Sequence, residues 1–408
     1  MISLNSSRST RNNFMSETDQ EIADSVLPID VGDLAVPAEL NQTFAWHRPR
    51  KHYIRKYQWL RLTENLVDHQ KGTPALPQLP GGSHELRYLT LPGSDMIDVE
   101  MMGELAISKG AKLTSVGFLA GSETNPSTAR AEVRRETLIE SGLISDRSYT
   151  LSRRIEEIAI KASSTYREFK SRGPYHAINL DACGSVAPPA SFGNESIVQV
   201  IHTIMEYQFA HFSGRWLLFL TCDVRQEQFD QETMERLLLA IRSNANAYQQ
   251  FRDRTVEMIE RDDEDLQAAL NGYASSSEAA FLKMFCVGIG KWMLGMAREA
   301  GWDLKMHPAF CYSTTPEGDQ RLTMPCLAFE FRPPLGGLPD PVGIGNALPT
   351  AQPQYEDRAM LVLDRVSEIE DLDRRMAENA DEREALAEET RHILRRIGYS
   401  EQAINQVA

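Results

Sequence analysis

One carboxylate of this chain follows a buried strand at a place where ligands often bind. Residues 175–189 read YHAINLDACGSVAPP, so an apolar run ends at Asp181 and continues into a loop of small residues. Such a run is typical of a strand in a parallel sheet, and ligands of open α/β sheets bind beyond the carboxyl ends of the strands. Asp181 is therefore a candidate for ligand binding or acid–base chemistry. An ordinary turn is the alternative, because Asp, Gly, Ser and Pro are also common turn residues.

Residues 46–61, WHRPRKHYIRKYQWLR, interleave six Arg or Lys residues with four aromatic residues. Cations neutralise phosphates and rings stack on exposed bases, so this segment is a candidate contact for nucleic acid or another phosphate-bearing partner. The candidate substrate-binding residues are Arg48, Arg50, Lys51, Arg55 and Trp59. The alternative is an amphipathic helix that caps the sheet domain, because the apolar residues from Tyr53 onward recur at helical spacing. In that helix, Arg55, Lys56 and Arg61 would face water.

The composition limits the class of protein. The 408 residues are 42% hydrophobic and 25% charged, and the formal net charge is −15. This charge argues against a protein that coats nucleic acid with its whole surface, so such binding would need a local patch. We find no apolar run of about eighteen residues, and residues 1–13 lack the apolar segment of a secretory signal. We therefore expect a cytoplasmic protein that does not bind membranes.

The cysteines do not form a metal-binding pattern. The chain has five, and no CxxC or Cys/His pairing at zinc spacing is present. We predict reduced, packed thiols and no structural metal. Cys183 is the exception, because it lies in the loop that follows Asp181, but no His or base adjoins it in sequence to make it a nucleophile.

Strands and helices alternate along the middle of the chain. Strands are predicted at 86–91, 112–119, 148–151, 175–181 and 215–222, helices at 96–109, 127–141, 155–170 and 196–212, and a closing hairpin at 304–312 and 322–331. This order predicts an α/β fold whose mostly parallel, Rossmann-type sheet is flanked by helices. The predicted organisation is a disordered or irregular N-terminus (1–40), a basic aromatic segment and linker (41–85), the Rossmann-type domain (86–335) with a helical insertion at about 231–300, and a linker with an acidic helical tail (336–408).

The helical tail carries one apolar face. Its residues are Met360, Leu361, Leu363, Val366 and Ile369. An apolar face on a charged terminal helix is typical of helices that dock on another surface, so we expect the tail to mediate self-association or to bind a partner protein.

The element order and the segment INLDACGSVAPP resemble class I S-adenosylmethionine-dependent methyltransferases, and the segment is most similar to the fourth motif of tRNA guanine-N2 dimethyltransferase-like proteins. The resemblance covers about 250 residues in outline. It implies that Asp181 orients or deprotonates an attacking nitrogen, while Gly184 and Ser185 let the target approach the backbone. It also implies a site for S-adenosylmethionine, whose candidate residues are Leu91, Gly93, Asp95, Asp98, Glu123 and Asp181.

The sequence also departs from that family. Residues 86–98 stand where the first cofactor motif should be, but they contain one glycine, Gly93, instead of a GxG turn. The second strand does not end in an acid, for which Asp95, Asp98 or Glu123 could substitute. Ala182 and Cys183 replace the proline and the aromatic residue that stack beside a target base.

Three functions stay open on the sequence alone. A methyltransferase, for which nucleic acid is the candidate substrate, predicts that the cofactor reaches a pocket formed by residues 91–95 and 181–185. A catalytically silent Rossmann-type subunit of a larger assembly predicts that the same pocket is filled by side chains. A hydrolase that uses Asp181 and Asp223 predicts activity that depends on a divalent metal.

Overall fold

The computed structural model describes most of the chain, namely residues 38–120, 125–182, 184–189, 196–259, 266–267, 270, 277–314, 321–334 and 355–407. Within them, a nine-stranded, mostly parallel sheet is flanked by helices. This confirms the predicted fold class. Two residues singled out from the sequence, Glu123 and Cys183, lie outside the described residues.

Five parallel strands form the first half of the sheet. They are β1 (His84–Thr90), β2 (Ala111–Phe118), β3 (Tyr149–Leu151), β4 (Ala177–Asp181) and β5 (Trp216–Thr221). Their order is β3-β2-β1-β4-β5, so the winding direction reverses between β1 and β4. Ligands of doubly wound sheets bind outside the carboxyl ends of the strands at this kind of reversal. The predicted strands are thus confirmed, and Asp181 ends β4 beside Thr221 of β5.

Antiparallel strands continue the sheet beyond β5. β8 (Met324–Arg332) pairs with β5 on one side and with β6 (Asp303–Met306) and β7 (Phe310–Tyr312) on the other. The predicted hairpin is confirmed, but its first arm is two strands, because Pro308 between them has no backbone N–H for the ladder. A strand that was not predicted, β9 (Glu370–Asp371), pairs in parallel with β7 and ends the strand order.

The helices follow the predicted order. They are α1 (Pro49–Ile54), α2 (Arg61–Gln70), α3 (Ile97–Ser108), α4 (Pro126–Glu140), α5 (Ser164–Arg172), α6 (Ile197–His211), α7 (Gln231–Ala247), α8 (Gln249–Ile259), α9 (Glu278–Glu299), α10 (Tyr355–Ser367), α11 (Leu372–Glu378), α12 (Ala380–Ile397) and α13 (Glu401–Ile404). A π-helical segment, Arg55–Leu60, joins α1 to α2.

The prediction of one continuous helix over residues 155–170 was wrong. The chain forms a 3₁₀ segment, Ile155–Ala159, and then α5 begins separately. The Ser163 side chain accepts a hydrogen bond from the Tyr166 amide, which makes Ser163 the N-cap of a new helix.

The tail belongs to the body of the protein. In α10, Leu363 and Val366 are fully buried, whereas Leu361 is 42% exposed. α10 packs against α9 and α8, and α12 packs against α1. The predicted apolar face therefore exists, but most of it packs against other helices of the same chain, where its burial stabilises the fold.

Helix α9 is a core helix. It is the one helix of the described residues that is long and apolar enough to cross a membrane, but 72% of its most apolar window is buried inside the protein. A Cβ added at Gly288 would lie 2.7 Å from Leu237 in α7, and one added at Gly290 would lie 2.6 Å from Val362 in α10. These glycines let neighbouring helices approach α9 closely, which is the packing of an interior helix.

The thiols fit the sequence expectation where they are described. Cys222, Cys286, Cys311 and Cys326 are free and buried. Burial raises the pKa of the Cys326 thiol to about 12. These thiols are therefore protonated at neutral pH, as expected of packed cysteines.

Candidate functional site at the sheet edge

The basic aromatic segment packs on the sheet domain. Tyr53, Ile54 and Trp59 are buried in one apolar cluster with Leu86 of β1 and Phe219 of β5. Helix α1 begins with a proline at its first position, where no intrahelical N–H bond is lost. The segment is thus the capping helix that the sequence offered as an alternative.

Its lysine reaches the acid at the end of β4. The Nζ atom of Lys51 lies 2.5 Å from Oδ1 of Asp181, and the two side chains are 4% and 21% exposed. The same Nζ lies 4.9 Å from the ring centroid of Trp59 and 5.8 Å from that of Tyr312. A carboxylate and two aromatic faces therefore stabilise this buried ammonium group.

Asp95, in the loop after β1, is a hydrogen-bond centre. Its carboxylate accepts from Nε1 of Trp46 at 3.1 Å and lies 2.9 Å from Nε2 of His47. It also accepts from the Tyr399 hydroxyl at 3.1 Å and from the Arg130 guanidinium. Only 2% of Asp95 is exposed. Its oxygens are thus occupied by donors from the N-terminal segment, α4 and the C-terminus, which argues against its predicted role as a cofactor ligand.

Asp95 is charged and His47 is neutral at pH 7. Burial alone would raise the pKa of Asp95, but the hydrogen bond from His47 and the charge of Arg130 lower it. Burial lowers the pKa of His47 despite the nearby carboxylate. Nδ1 of His47 accepts from the Phe44 amide, so Nε2 carries the proton and donates to Asp95.

Asp95 does not cap the following helix. Met96 occupies the N-cap position with φ = 50°, and no side chain caps this helix end. A left-handed conformation is uncommon for a residue with a side chain, and such strain is often found beside functional sites. The strained residue lies directly after the most heavily bonded acid of this edge.

Asp98, in the first turn of α3, lies deeper. It accepts from the Tyr88 hydroxyl at 2.9 Å and from Thr90 Oγ1 at 2.6 Å. Burial raises its pKa, although these hydrogen bonds and the charge of Arg55 oppose the shift. Asp98 is only 6% exposed, and its carboxylate is bonded to the two hydroxyls, so its predicted role in cofactor binding stays a prediction.

The two glycine turns of the edge remain open. Gly93 and Gly184 are exposed, and a Cβ added to either would meet nothing within 4 Å. Leu91 is half-buried and donates its amide to the Asn179 carbonyl at 3.3 Å. Ser185 is half-buried, and its Oγ accepts from the Ala187 amide at 3.2 Å. Small turns therefore lie beside acids that are already bonded.

The candidate substrate residues are mostly inaccessible. Arg50 is 6% exposed, Lys51 3%, Arg55 5% and Trp59 1%, whereas Arg48 is half-buried. The expectation that Arg55 faces water was wrong, because it extends inward and its NH1 donates to the Trp46 carbonyl at 2.8 Å. A buried guanidinium needs such a partner, since an unpaired charge is costly in an apolar interior.

The third function left open on the sequence, a metal-dependent hydrolase, would use Asp181 and Asp223. Both of these acids are bonded to cationic side chains. Asp223 accepts from Nε of Arg225 at 2.8 Å, as Asp181 does from Lys51. Within the residues that the structure describes, no group of three or more His, Cys, Asp or Glu side chains could hold a metal. A divalent ion would have to displace bound cations here, so the geometry does not favour this function.

Several residues of this edge were not predicted. They are Arg130, Tyr312, Asp373, Glu389 and Tyr399. Asp373 binds the Arg50 guanidinium, and Glu389 lies 3.0 Å from Nε2 of His52. They come from parts of the chain far apart in sequence, so no local pattern could identify them.

The fold and this edge define an α/β protein with a doubly wound, Rossmann-type sheet. The carboxyl ends of its strands are covered by residues 46–61 and 372–407 of the same chain. The sequence profile of the PP_RS20740-like family matches residues 40–408, and the chain belongs to that family. The comparison with curated proteins gives no match.

Proposed function

We propose that this is a methyltransferase-like, Rossmann-type protein that is catalytically silent and acts as a binding subunit of a larger assembly. The observation that carries the proposal is the contact of Lys51 with Asp181. This pair places the protein's own cation on the acid that the methyltransferase resemblance assigns to the attacking nitrogen.

The strand order supports the methyltransferase-like part of the proposal. The order β3-β2-β1-β4-β5 is that of a doubly wound sheet, and an antiparallel hairpin follows it. Asp181 ends β4 beside the switch point, where the fourth motif of the resemblance requires it. The scaffold is thus suitable for the family, whereas the side chains at its ligand edge are not free.

The hydrogen bonds of the buried acids support the proposal that the protein is catalytically silent. Asp95 already accepts from four side chains, Asp98 from two, and Asp181 from Lys51. A ligand that removed Lys51 from Asp181 would leave a buried charge without its partner, at a cost of about 3–5 kcal/mol. S-adenosylmethionine brings its own positive sulfonium, so it would compete with Lys51 for the same carboxylate.

Calorimetry with S-adenosylmethionine tests the proposal. The wild type is expected to give no binding heat up to about 1 mM ligand. Asp95→Ala and Asp181→Ala should likewise give none. Micromolar binding to the wild type that either substitution weakens would overturn the silent assignment.

An active methyltransferase is the second candidate, and the open turns at Gly93 and Gly184 favour it. Backbone can approach a cofactor closely where no Cβ intervenes. In that case Lys51 would have to leave Asp181 when substrate enters. Lys51→Met would then increase affinity for the cofactor, whereas a silent protein would bind none in either form.

Nucleic-acid binding through residues 46–61 is less well supported. Arg50, Lys51 and Arg55 are each at most 6% exposed and bond to groups of the chain itself. Phosphate contacts need accessible cations. A partner protein, sought by pull-down with the full chain, is the more direct expectation for a binding subunit.

A further inference from the structure

A cavity lies among the helices, away from the sheet edge, so its chemistry is independent of the proposed function. It has a volume of about 320 Å³ and opens between α7, α8 and α10. An apolar cavity of about 150 Å³ is large enough to enclose benzene, and small-molecule sites begin at about 300 Å³. The size therefore fits a single ring with a short substituent.

The cavity has an exposed mouth and a buried floor. Ala247 and Tyr248, at the break between α7 and α8, are exposed lining residues, whereas Phe251 and Ala359 are each 1% exposed. A molecule can thus enter from solvent and bury an apolar part against the floor. Such burial is favourable in proportion to the apolar area that is removed from water.

One polar atom of the lining has no hydrogen-bond partner. Asn244 of α7 is 6% exposed, and its Nδ2 makes no hydrogen bond among the described residues. Buried amide donors are nearly always bonded to protein or to water. The unpaired donor therefore favours an occupant that carries an acceptor oxygen.

The lining also indicates the charge and the shape of the occupant. The lining residues that the structure describes are Asn, Ala, Tyr, Gln, Phe and Met, none of which is charged at pH 7. A charged molecule would lose its hydration there without gaining an ion pair with the lining. Phe251 and Tyr248 contribute aromatic rings and Met360 a thioether, which all make favourable contacts with another ring. The lining therefore favours a neutral aromatic molecule.

We propose that this cavity binds a small, neutral aromatic molecule whose carbonyl oxygen accepts a hydrogen bond from Nδ2 of Asn244. The carbonyl supplies the acceptor that the donor lacks, and the ring contacts the apolar lining. Water could satisfy the donor, but it would make no use of the apolar contacts.

A matched pair of ligands tests the hydrogen bond. Acetophenone and α-methylstyrene have the same shape and differ only in a carbonyl oxygen replaced by a CH₂ group. In ligand-observed NMR titrations, acetophenone is expected to bind at least about fivefold more tightly, because only the ketone completes the bond of the buried donor. Equal affinities, or no binding of acetophenone up to about 10 mM, would overturn the proposal.

Benzoate tests the charge of the ligand. It is similar in size to acetophenone and carries two acceptor oxygens, but it is an anion at pH 7. Its affinity should be at least about tenfold lower than that of acetophenone, because a desolvated charge finds no counter-charge in the lining. Benzoate that binds as tightly as the ketone would refute a site for neutral molecules.

Asn244→Leu separates a ligand contact from a structural role. Leucine has nearly the volume of asparagine but no donor, so the preference for acetophenone over α-methylstyrene should fall to about onefold. Loss of affinity for both molecules to the same extent would mean that Asn244 shapes the cavity without donating to the ligand. That outcome would contradict the proposal.

A second variant locates the site without removing a buried group. Ala247→Trp adds bulk at an exposed lining position and should reduce acetophenone binding about tenfold or more. Leu239→Trp is the matched control, because Leu239 is 58% exposed on the same helix and is not part of the lining. Melting temperatures verify that both variants are folded. Unchanged binding in folded Ala247→Trp would place the ligand elsewhere and refute this cavity as its site.

Discussion

Two buried lysines of this protein lie in contrasting surroundings. Lys51, 3% exposed, bonds to a carboxylate and faces two aromatic rings at the sheet edge. Lys291, 2% exposed, lies beside one aromatic ring among the helices, where burial is what lowers its pKa. The ammonium group of Lys51 is thus bonded to a carboxylate, and the lowered pKa of Lys291 reflects the cost of its desolvation.

The two regions also differ in how their buried polar groups are bonded. At the sheet edge, segments from both ends of the chain supply partners for the buried acids, as His47 and Tyr399 do for Asp95. That network stabilises a closed edge. In the helical region, Nδ2 of Asn244, a residue that lines a cavity between α7, α8 and α10, makes no hydrogen bond among the described residues.

Asp181→Ala should give the largest effect. It leaves the Lys51 ammonium buried beside two rings with no carboxylate, and we expect a loss of about 3–5 kcal/mol in the free energy of unfolding. Urea denaturation at pH 7 measures it. The matched control is Glu232→Ala, which breaks an exposed pair with Arg236 and should cost less than about 1 kcal/mol.

Removing both partners sharpens the same test. Lys51→Met combined with Asp181→Leu replaces the ion pair by apolar groups and should recover most of the stability lost in Asp181→Ala. If Asp181→Ala costs no more than the surface control, the edge is not held closed by this pair.

His52 should make the sheet edge sensitive to acid. Burial and the charge of Arg55 lower its pKa to about 4, although Glu389 opposes the shift and Lys56 adds to it. Between pH 6.5 and 4 the unfolded chain binds a proton that the folded protein refuses, so stability falls as pH falls through this window, by about 2–3 kcal/mol.

Urea titrations at several pH values measure that dependence. His52→Gln should flatten the curve between pH 6.5 and 4, while His69→Gln, at an exposed position of α2, should leave it unchanged. A wild-type curve as flat as that of His52→Gln would show that His52 is not held neutral by the fold.

Lys291→Met should stabilise the protein, opposite in sign to the changes at the sheet edge. The lowered pKa means that the charged lysine costs the folded state free energy, so its removal should add about 2 kcal/mol at pH 7. Between pH 8 and 10.5 the unfolded chain holds a proton that the folded one releases. Wild-type stability should therefore rise with pH relative to the variant.

Urea denaturation of both proteins at pH 7 and pH 10 checks this sign. A destabilised Lys291→Met variant would show that the charged form of this lysine contributes to the stability of the fold. Lys305→Met serves as the control and should show no change between the two pH values.

Local sequence patterns predicted much of the fold. The apolar run that ends at Asp181 identified β4. The helices predicted at 96–109 and 127–141 stop before Gly110 and Gly142, and both glycines adopt the left-handed conformation in the structure. Such signals are local, because strand burial and helix termination depend on neighbouring residues. β9 escaped prediction, since two residues carry no periodicity and pair only through the fold.

The candidate site was predictable only in part. The sequence placed Asp181 at the sheet edge, and residues 46–61 could be either a contact for nucleic acid or a capping helix. Which function those cations serve depends on Asp181 and on acids such as Asp373, more than three hundred residues from Arg50. Burial of the basic segment follows from these distant partners, which composition and spacing cannot reveal.

Tyr399→Phe should give the smallest effect and separates closure from folding. The tyrosine hydroxyl donates to Asp95, whose other donors remain, so we expect a loss of about 1 kcal/mol. Tyr149→Phe, at a 40% exposed ring, is the matched control and should change stability by less than half as much. Hydrogen exchange should show faster opening of the turn between α12 and α13 and of the loop after β1, which this bond joins, with α9 unchanged. If exchange in the loop after β1 is unaltered while global stability drops, Tyr399 supports the C-terminus alone and does not help to hold the sheet edge closed.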